Sequence, residues 1–135
     1  MADRLTLELA TPIRLLLSET VDEVVAPGTE GYFGVLPGHA PFLTTLGIGL
    51  VTYKIGREEH HVVVAGGFAE VRNDKVIILA DTAERPDEID VERAERARQR
   101  AESRILGRTQ DDVDYMRAMA ALTRAQTRLQ VVVGR

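Results

Sequence analysis

Four arginines in the last third of the chain have a spacing that could bind a polyanion. Arg93 and Arg100 are seven residues apart, which places them two turns along one helix face, and Arg124 and Arg128 are four apart. Guanidinium groups bind phosphate oxygens bidentately, and a triphosphate carries enough charge to hold several of them together. The spacing alone equally fits a solvated helix face with i, i+4 ion pairs, and on spacing alone we prefer that interpretation.

The other residues that could do chemistry do not form a catalytic set. The only serines, Ser18 and Ser103, lack the Gly-x-Ser-x-Gly setting of a nucleophile. His60 and His61 must point to opposite faces of a strand, so they predict no shared metal site. The glycine-rich run 28–34 is not followed by the Gly-Lys-Ser/Thr of a phosphate-binding loop. The search for a catalytic set of residues therefore mostly returns nothing.

The composition favours a globular protein without a nucleic-acid partner. The 135 residues are 44% hydrophobic and 28% charged. The net charge of -4, with three Tyr and three Phe, offers neither a basic footprint nor many stacking platforms for nucleic acid. The absence of Cys excludes disulfides, thiolate zinc sites and cysteine nucleophiles. No apolar run approaches the roughly 20 residues of a transmembrane helix, and no signal-peptide pattern begins the chain, so we expect a cytosolic protein.

The predicted secondary structure that must position these residues changes near Pro86, from strands before it to helices after it. Residues 1–86 contain all 5 Pro and 9 of the 11 Gly, whereas residues 87–135 contain 10 Arg and no Lys. In the first part, apolar and polar residues alternate so that Leu5, Leu7 and Leu9 share one face of a strand. Similar runs at 21–26, 48–55, 61–65, 68–72 and 76–80, divided by turn residues, predict an antiparallel sandwich or barrel.

The second part has helical periodicity. One stripe contains Val91, Ala94, Ala97 or Arg98, Ala101 and Ile105, and Gly107 is predicted to end that helix. A second helix begins near Asp111 or Asp112, either of which can cap it, with a predicted contact face of Tyr115, Met119, Leu122, Gln126, Leu129 and Val133. The short linker predicts an antiparallel two-helix hairpin, and its many alanines predict weak docking. The predicted fold is α+β, with an N-terminal antiparallel β-sandwich (1–86) and a C-terminal helical hairpin (87–135).

Several runs resemble one known family along essentially the whole chain. Residues 28–44, GTEGYFGVLPGHAPFLT, are similar to the signature of the epsilon subunit of the F-type, proton-translocating ATP synthase. So are residues 66–71 (GGFAEV), 79–85 (LADTAER) and 111–115 (DDVDY). The order of these runs and the change from strands to helices near Pro86 also match the family.

The resemblance implies a rotor subunit that is not itself a catalyst. In this family the sandwich binds the gamma subunit beside the membrane ring of c subunits and helps couple proton flow to ATP synthesis. The ring-facing loop falls on residues 31–39, with Gly31, Tyr32 and His39 as the expected contacts. The implied location is the cytoplasmic face of a bacterial membrane, where the chain is peripheral and associated only through the complex.

The resemblance also implies that ATP is a regulatory ligand of the hairpin. The run Ile89-Asp90-Val91-Glu92-Arg93-Ala94 matches the family's ATP-binding motif, so the resemblance reverses our preference for a solvated arginine face. The implied contacts are Glu84, Ile89, Asp90, Arg93, Ala94, Arg100, Arg124 and Arg128. We expect the four arginines to bind the phosphates, the two carboxylates to make polar contacts, and Ile89 and Ala94 to line the base or ribose. No metal ligand is predicted, and a Mg²⁺ requirement is not readable.

The family's hairpin has a compact form and an extended form. The extended form reaches the catalytic beta and alpha subunits and blocks ATP hydrolysis, so falling ATP is expected to release it. Two alternatives remain at this point. One is a stand-alone nucleotide sensor, which would not co-purify with gamma. The other is a β-sandwich module that binds carbohydrate or protein and carries a structural helical tail.

Overall fold

The computed structural model describes residues 4–106 and 113–133. Two compact units divide the chain, Met1–Arg85 and Pro86–Arg135. The first is built from strands, and the second from a 3-10 turn, Pro86–Glu88, and two α-helices. Within the described residues, neither helix combines the length and apolar character that a membrane span requires. The predicted fold class, a β-sandwich followed by two helices, is confirmed.

Eight strands form the first unit. They are Leu5–Thr11 (β1), Arg14–Val21 (β2), Glu23–Gly28 (β3), Gly31–Val35 (β4), Phe42–Thr45 (β5), Ile48–Ile55 (β6), Glu58–Arg72 (β7) and Lys75–Glu84 (β8). Their order across the sheet is β2-β1-β8-β7-β6-β3-β4, and β5 pairs with β7. All pairs are antiparallel except β1 and β8, which run parallel. The parallel pair joins the first strand of the unit to its last.

The core of the sandwich follows the predicted alternation. Leu5, Leu7 and Leu9 are buried on one face of β1, while the residues between them are not. Alternating residues of β8, among them Val76 and Ile78, are fully buried in the same cluster. Since burying a large aliphatic side chain contributes about 1.5–3 kcal/mol, these alternating positions are the main source of the unit's stability.

Two adjacent glycines lie in β7 at the point where its antiparallel partner changes from β6 to β5. Gly66 and Gly67 have φ of 71° and 117°, in the region that favours glycine. Before them β7 pairs with β6, and after them it pairs with β5. A Cβ on Gly67 would overlap the Leu79 carbonyl oxygen and lie 2.8 Å from the Ala80 Cα. The sheet therefore bends where only glycine fits against β8.

Several sequence-based strand predictions need correction. The predicted strand 21–26 is the end of β2 followed by β3, and the two predicted runs 61–65 and 68–72 are parts of one 15-residue strand. Three strands were not predicted: β2, β4 and β5. β2 has no period-two burial pattern, β4 contains two glycines of the run interpreted as turns, and β5 has only four residues. At the ends of the sheet path, β2 and β4 need to bury fewer side chains.

The second unit contains Val91–Ile105 (α1) and Val113–Val133 (α2), which pack against each other as an antiparallel hairpin. In α1 the predicted stripe is confirmed at Ala94 and Ala101, which are buried, but Val91 is exposed. The predicted terminator Gly107 and caps Asp111 and Asp112 lie outside the described residues.

The predicted contact face of α2 is partly wrong. Among the side chains that the structure describes, Ala118, Ala125 and Val131 are buried, whereas Met119 and Gln126 are exposed. Of the other predicted residues, Tyr115, Leu122 and Leu129 are half-buried, and the side chain of Val133 lies outside the described part. Alanines at a helix contact let the backbones approach closely, and the half-buried Leu122 and Leu129 lie one turn after Ala118 and Ala125 on the same face of α2. The expectation of an alanine-rich contact is consistent with Ala94 and Ala101 on α1 and the two alanines seven residues apart on α2.

Candidate functional site

The Ile89–Ala94 motif begins α1. Asp90 is the N-cap, and its Oδ1 accepts a hydrogen bond from the backbone N–H of Arg93 at 3.1 Å. Ile89 and Ala94, which flank the cap at the positions of a hydrophobic staple, are 7% and 3% exposed. Three of the predicted site residues therefore have a structural role at the start of the helix. Ile89 and Ala94 present almost no surface to a ligand in this arrangement.

We expect Asp90→Ala to destabilise the hairpin by about 1 kcal/mol, because one amide at the helix start loses its acceptor. Hydrogen exchange of α1 amides would show faster exchange in the first turns. Asp87→Ala is the matched control, since Asp87 is exposed in the preceding 3-10 turn and does not cap α1. Equal effects of the two substitutions would show that the cap is not the cause.

The predicted arginines lie on both helices. Arg93 and Arg100 are exposed on α1, and Arg124 and Arg128 are half-buried on α2. A cleft of about 570 Å³ is lined by Arg104, Asp114, Arg117, Ala118, Ala120, Ala121 and Arg124. A shallower cleft of about 380 Å³ on α1 is lined by Arg96, Gln99, Arg100, Ser103 and Arg104. Arg124 and Arg100 thus line different clefts, both of which include Arg104, and neither includes Arg93 or Arg128.

The sequence analysis missed Arg104 and Arg117. The signal was present, because Arg104 follows Arg100 by four residues and Arg117 precedes Arg124 by seven. Arg93, Arg100 and Arg104 therefore have the same spacing as Arg117, Arg124 and Arg128, and each set lies along one helix face. The larger cleft shows that these two faces meet at the end of α1 and the start of α2.

The arginines of the hairpin differ in their ion pairs. Arg98 contacts Glu95 and lies 2.6 Å from Glu102, and these carboxylates raise the pKa of Arg98 while Arg98 lowers the pKa of Glu95. Arg96 lies 4.0 Å from Glu92 and Arg117 lies 3.8 Å from Asp114. Among residues 4–106 and 113–133, no ion pair is made by Arg93, Arg100, Arg104 or Arg124. Arg128 is not part of this group, because it has an interaction of its own.

The predicted ring-facing loop is partly a strand. Gly31 and Tyr32 belong to β4, so within the predicted loop 31–39 only residues 36–39 lie outside strands. The Tyr32 hydroxyl accepts a hydrogen bond from the Leu50 N–H at 3.0 Å, yet 60% of the residue is exposed. The His39 Nδ1 lies 2.6 Å from the Ala40 carbonyl oxygen, and its ring contacts Phe42 edge-on. Tyr32 and His39 are therefore anchored by hydrogen bonds while their remaining surface stays accessible.

This segment is also joined to the next hairpin of the sheet. The Gly38 N–H donates to Asp74 Oδ1 at 2.7 Å, across the turn between β7 and β8. Glu84, another predicted site residue, is half-buried at the end of β8 and belongs to the strand unit. No group of His, Asp or Glu that could hold a metal ion occurs within the described parts of the chain.

A row of exposed apolar side chains crosses the outer face of the sheet. Phe68 on β7 lies opposite Leu79 on β8, Leu79 lies opposite Ala10 on β1, and Ala10 lies opposite Leu15 on β2. Phe68, Leu79 and Leu15 are each more than half exposed, as is Leu43 on β5. Adjacent exposed apolar side chains of this kind are typical of interaction surfaces.

The fold and these surfaces define a two-part protein, a β-sandwich followed by a helical hairpin. Two family models match it: the beta-sandwich domain of the ATP synthase Delta/Epsilon chain over residues 4–86, and its long alpha-helix domain over residues 87–132. The ATP synthase epsilon chain of Nitratidesulfovibrio vulgaris (strain DP4) is 53% identical over 97% of both chains. That of Geobacter metallireducens is 52% identical over 97% of this chain and 95% of its own.

A solved structure agrees with these relatives. A chain in the cryo-EM structure titled Euglena gracilis mitochondrial ATP synthase, OSCP/F1/c-ring in rotational state 1, is similar with a TM-score of 0.84 and 25% identity, over 98% of this chain and 83% of that one. The chain belongs to the ATP synthase epsilon-chain family. The resemblance found in the sequence is confirmed, and the chain is a non-catalytic stalk subunit.

Proposed function

We propose that the chain is a rotor subunit in the central stalk of a bacterial ATP synthase and that its helical hairpin binds ATP as a regulatory ligand. Its bacterial relatives are named ATP synthase epsilon chain, and the similar Euglena chain comes from a mitochondrial ATP synthase assembly with F1 and the c-ring. The chain would act at the cytoplasmic face of the membrane, held there through the complex, and would help couple proton transport to ATP synthesis.

The strand unit supplies two surfaces for partners. The apolar row through Phe68 and Leu79 suits a stable contact with the gamma subunit, because it removes large exposed side chains from water. The anchored segment with Gly31, Tyr32 and His39 suits the c-subunit ring, since its hydrogen bonds reduce the conformational entropy lost on binding. Tyr32 can pack its ring while its hydroxyl stays hydrogen-bonded.

The observation that carries the regulatory proposal is that Arg93, Arg100 and Arg124 make no ion pair with any residue in 4–106 or 113–133, on a hairpin whose buried residues are mainly alanines. An anion shared by both helices would add attraction where the alanine contact adds little. A ligand that binds only the compact hairpin stabilises it by about 2.7 kcal/mol at a hundredfold excess over its Kd. Falling ATP would then free the hairpin to reach the catalytic beta and alpha subunits and inhibit ATP hydrolysis.

Calorimetric titration of ATP into the full chain tests this proposal. We expect the unaltered chain to release or absorb heat on binding ATP. Its affinity for ATP is expected to fall about tenfold or more in Arg93→Ala and in Arg124→Ala, because each substitution removes a charge-assisted hydrogen bond. Arg57→Ala, in the turn between β6 and β7, removes the same charge from the strand unit and is expected to bind like the unaltered chain.

Repeating the titration with Mg²⁺ and with a chelator determines whether the metal accompanies ATP. An unaltered chain that takes up no ATP, or equal affinity in the two hairpin variants and the unaltered chain, would overturn the regulatory part of the proposal. The family membership would stand, because it does not depend on ATP binding.

A further inference from the structure

The turn between β7 and β8 has two residues in the left-handed region. Arg72 pairs with Lys75, so the loop between the strands contains only two residues. They are Asn73 and Asp74, with φ of 51° and 57°. A two-residue hairpin loop with positive φ at both positions is typical of a type I′ turn, whose second position favours glycine. The hairpin alone therefore does not account for an aspartate at this position.

The turn at residues 36–39 leaves one backbone N–H for another partner. The His39 N–H donates to the Leu36 carbonyl oxygen at 3.1 Å, which closes a β-turn. Pro37 at the first central position and Gly38 with φ of 88° at the second are typical of a type II turn. Since the turn's own hydrogen bond uses the His39 N–H, the Gly38 N–H is free to donate elsewhere.

The Asp74 carboxylate accepts this hydrogen bond. The Gly38 N–H donates to Asp74 Oδ1 at 2.7 Å. The backbone of Asp74 is held in place as well, because its carbonyl oxygen accepts from the Thr6 N–H at 2.9 Å. Proline followed by glycine is also compatible with a type I turn, in which the central peptide is flipped and the Gly38 N–H points the opposite way. The hydrogen bond to Asp74 is therefore made in the type II turn and lost in the type I turn.

We propose that Asp74 is a positioning residue for the predicted ring-facing loop. Its carboxylate selects the type II turn and thereby fixes the direction in which His39 leaves that turn. A loop that already has its binding conformation loses less entropy when a partner binds. The contact with the c-subunit ring rests on the proposed function. The effect of Asp74 on the turn does not, because it rests on hydrogen bonds within the strand unit.

Proton NMR of the full chain tests the effect of Asp74 on the turn. Asp74→Gly removes the carboxylate and places the residue that a type I′ turn favours in the hairpin. In the unaltered chain we expect a strong nuclear Overhauser effect between the Pro37 Hα and the Gly38 amide, as a type II turn requires. In Asp74→Gly we expect this effect to weaken. The Gly38 amide should also exchange about fivefold faster with water, because it loses a charge-assisted hydrogen bond at an exposed site.

Two further variants separate the carboxylate from the hairpin turn. Asp74→Asn keeps a side-chain oxygen and tolerates positive φ, so it is expected to restore the Gly38 signals at least in part. Asn73→Gly is the matched control in the same turn and is expected to leave those signals unchanged. Protection of the Thr6 amide shows that each variant keeps the hairpin folded. Gly38 signals that are the same in Asp74→Gly and in the unaltered chain would overturn the positioning role, as would an equal loss in Asn73→Gly.

Binding to the ring tests the consequence for the partner. The probe is the detergent-solubilised c-subunit ring, titrated into the complex of this chain with the gamma subunit. We expect Asp74→Gly to weaken binding about fivefold, since the turn must then be ordered as the ring binds. Full affinity in this variant, with the Gly38 turn altered, would overturn the role of Asp74 in partner binding. If His39→Ala also binds with full affinity, the ring contact of the proposed function fails, whereas the control of the turn by Asp74 stands.

Discussion

Replacing Gly67 by alanine is expected to lower the free energy of unfolding of the strand unit by about 3 kcal/mol or more. The added Cβ would overlap the Leu79 carbonyl oxygen and lie 2.8 Å from the Ala80 Cα, both of which belong to the paired strand β8. A φ of 117° is also unfavourable for alanine. Neither problem can be relieved without moving the backbone of β7 or β8.

Chemical denaturation followed by circular dichroism measures the effect. Gly47→Ala is the matched control, because an added Cβ there has no neighbour within 4 Å and its φ is not positive. We expect that control to change stability by less than about 1 kcal/mol. A Gly67 variant as stable as the Gly47 variant would show that the sheet can move to accept a side chain at the bend.

Leucine in place of Ala125 is expected to open the hairpin while leaving the sandwich folded. Ala125 is fully buried and lines neither cleft, so three additional carbon atoms must push the helices apart or distort them. Overpacking of this kind costs about 1–3 kcal/mol. The alanine contact buries little area, and we therefore expect a large part of the hairpin's stability to be lost.

Hydrogen exchange resolves this effect by region. Amides of α1 and α2 should exchange faster in Ala125→Leu, and those of β7 and β8 should not change. The control is Gln126→Leu, which adds an apolar side chain at an exposed position of the same helix. Protection of the helices that is equal in both variants would mean that the alanine contact tolerates larger residues.

The strand unit was most predictable where one face is buried and the other is not. Leu5, Leu7 and Leu9 alternate with half-buried or exposed residues, and β6 has the bounds that its pattern indicated. Gly31 and Gly34 led to a wrong prediction, because glycine in a sequence favours a turn. Both glycines lie in the strand β4. β4 depends on its pairing with β3, which is information about tertiary structure.

The hairpin shows a different limit. Periodicity located α1 and α2, but the predicted contact face of α2 left out Ala118 and Ala125, which are buried. It included Met119 and Gln126, which are exposed. Alanine is compatible with every face of a helix, so hydropathy gives it little weight. The arginine spacing showed which arginines share a face of each helix. It did not show that Arg104, Arg117 and Arg124 line one cleft, because that depends on how the two helices pack.

The parallel pairing of β1 with β8 has a consequence during synthesis of the chain. Leu7 pairs with Val76, about 70 residues later, so the sheet is incomplete until the whole strand unit has left the ribosome. Contacts so distant in sequence slow folding, and until they form, β1 and β2 expose an unpaired edge. The helices follow in the sequence, and their contacts are local to the hairpin, so they would assemble quickly after a slow first step.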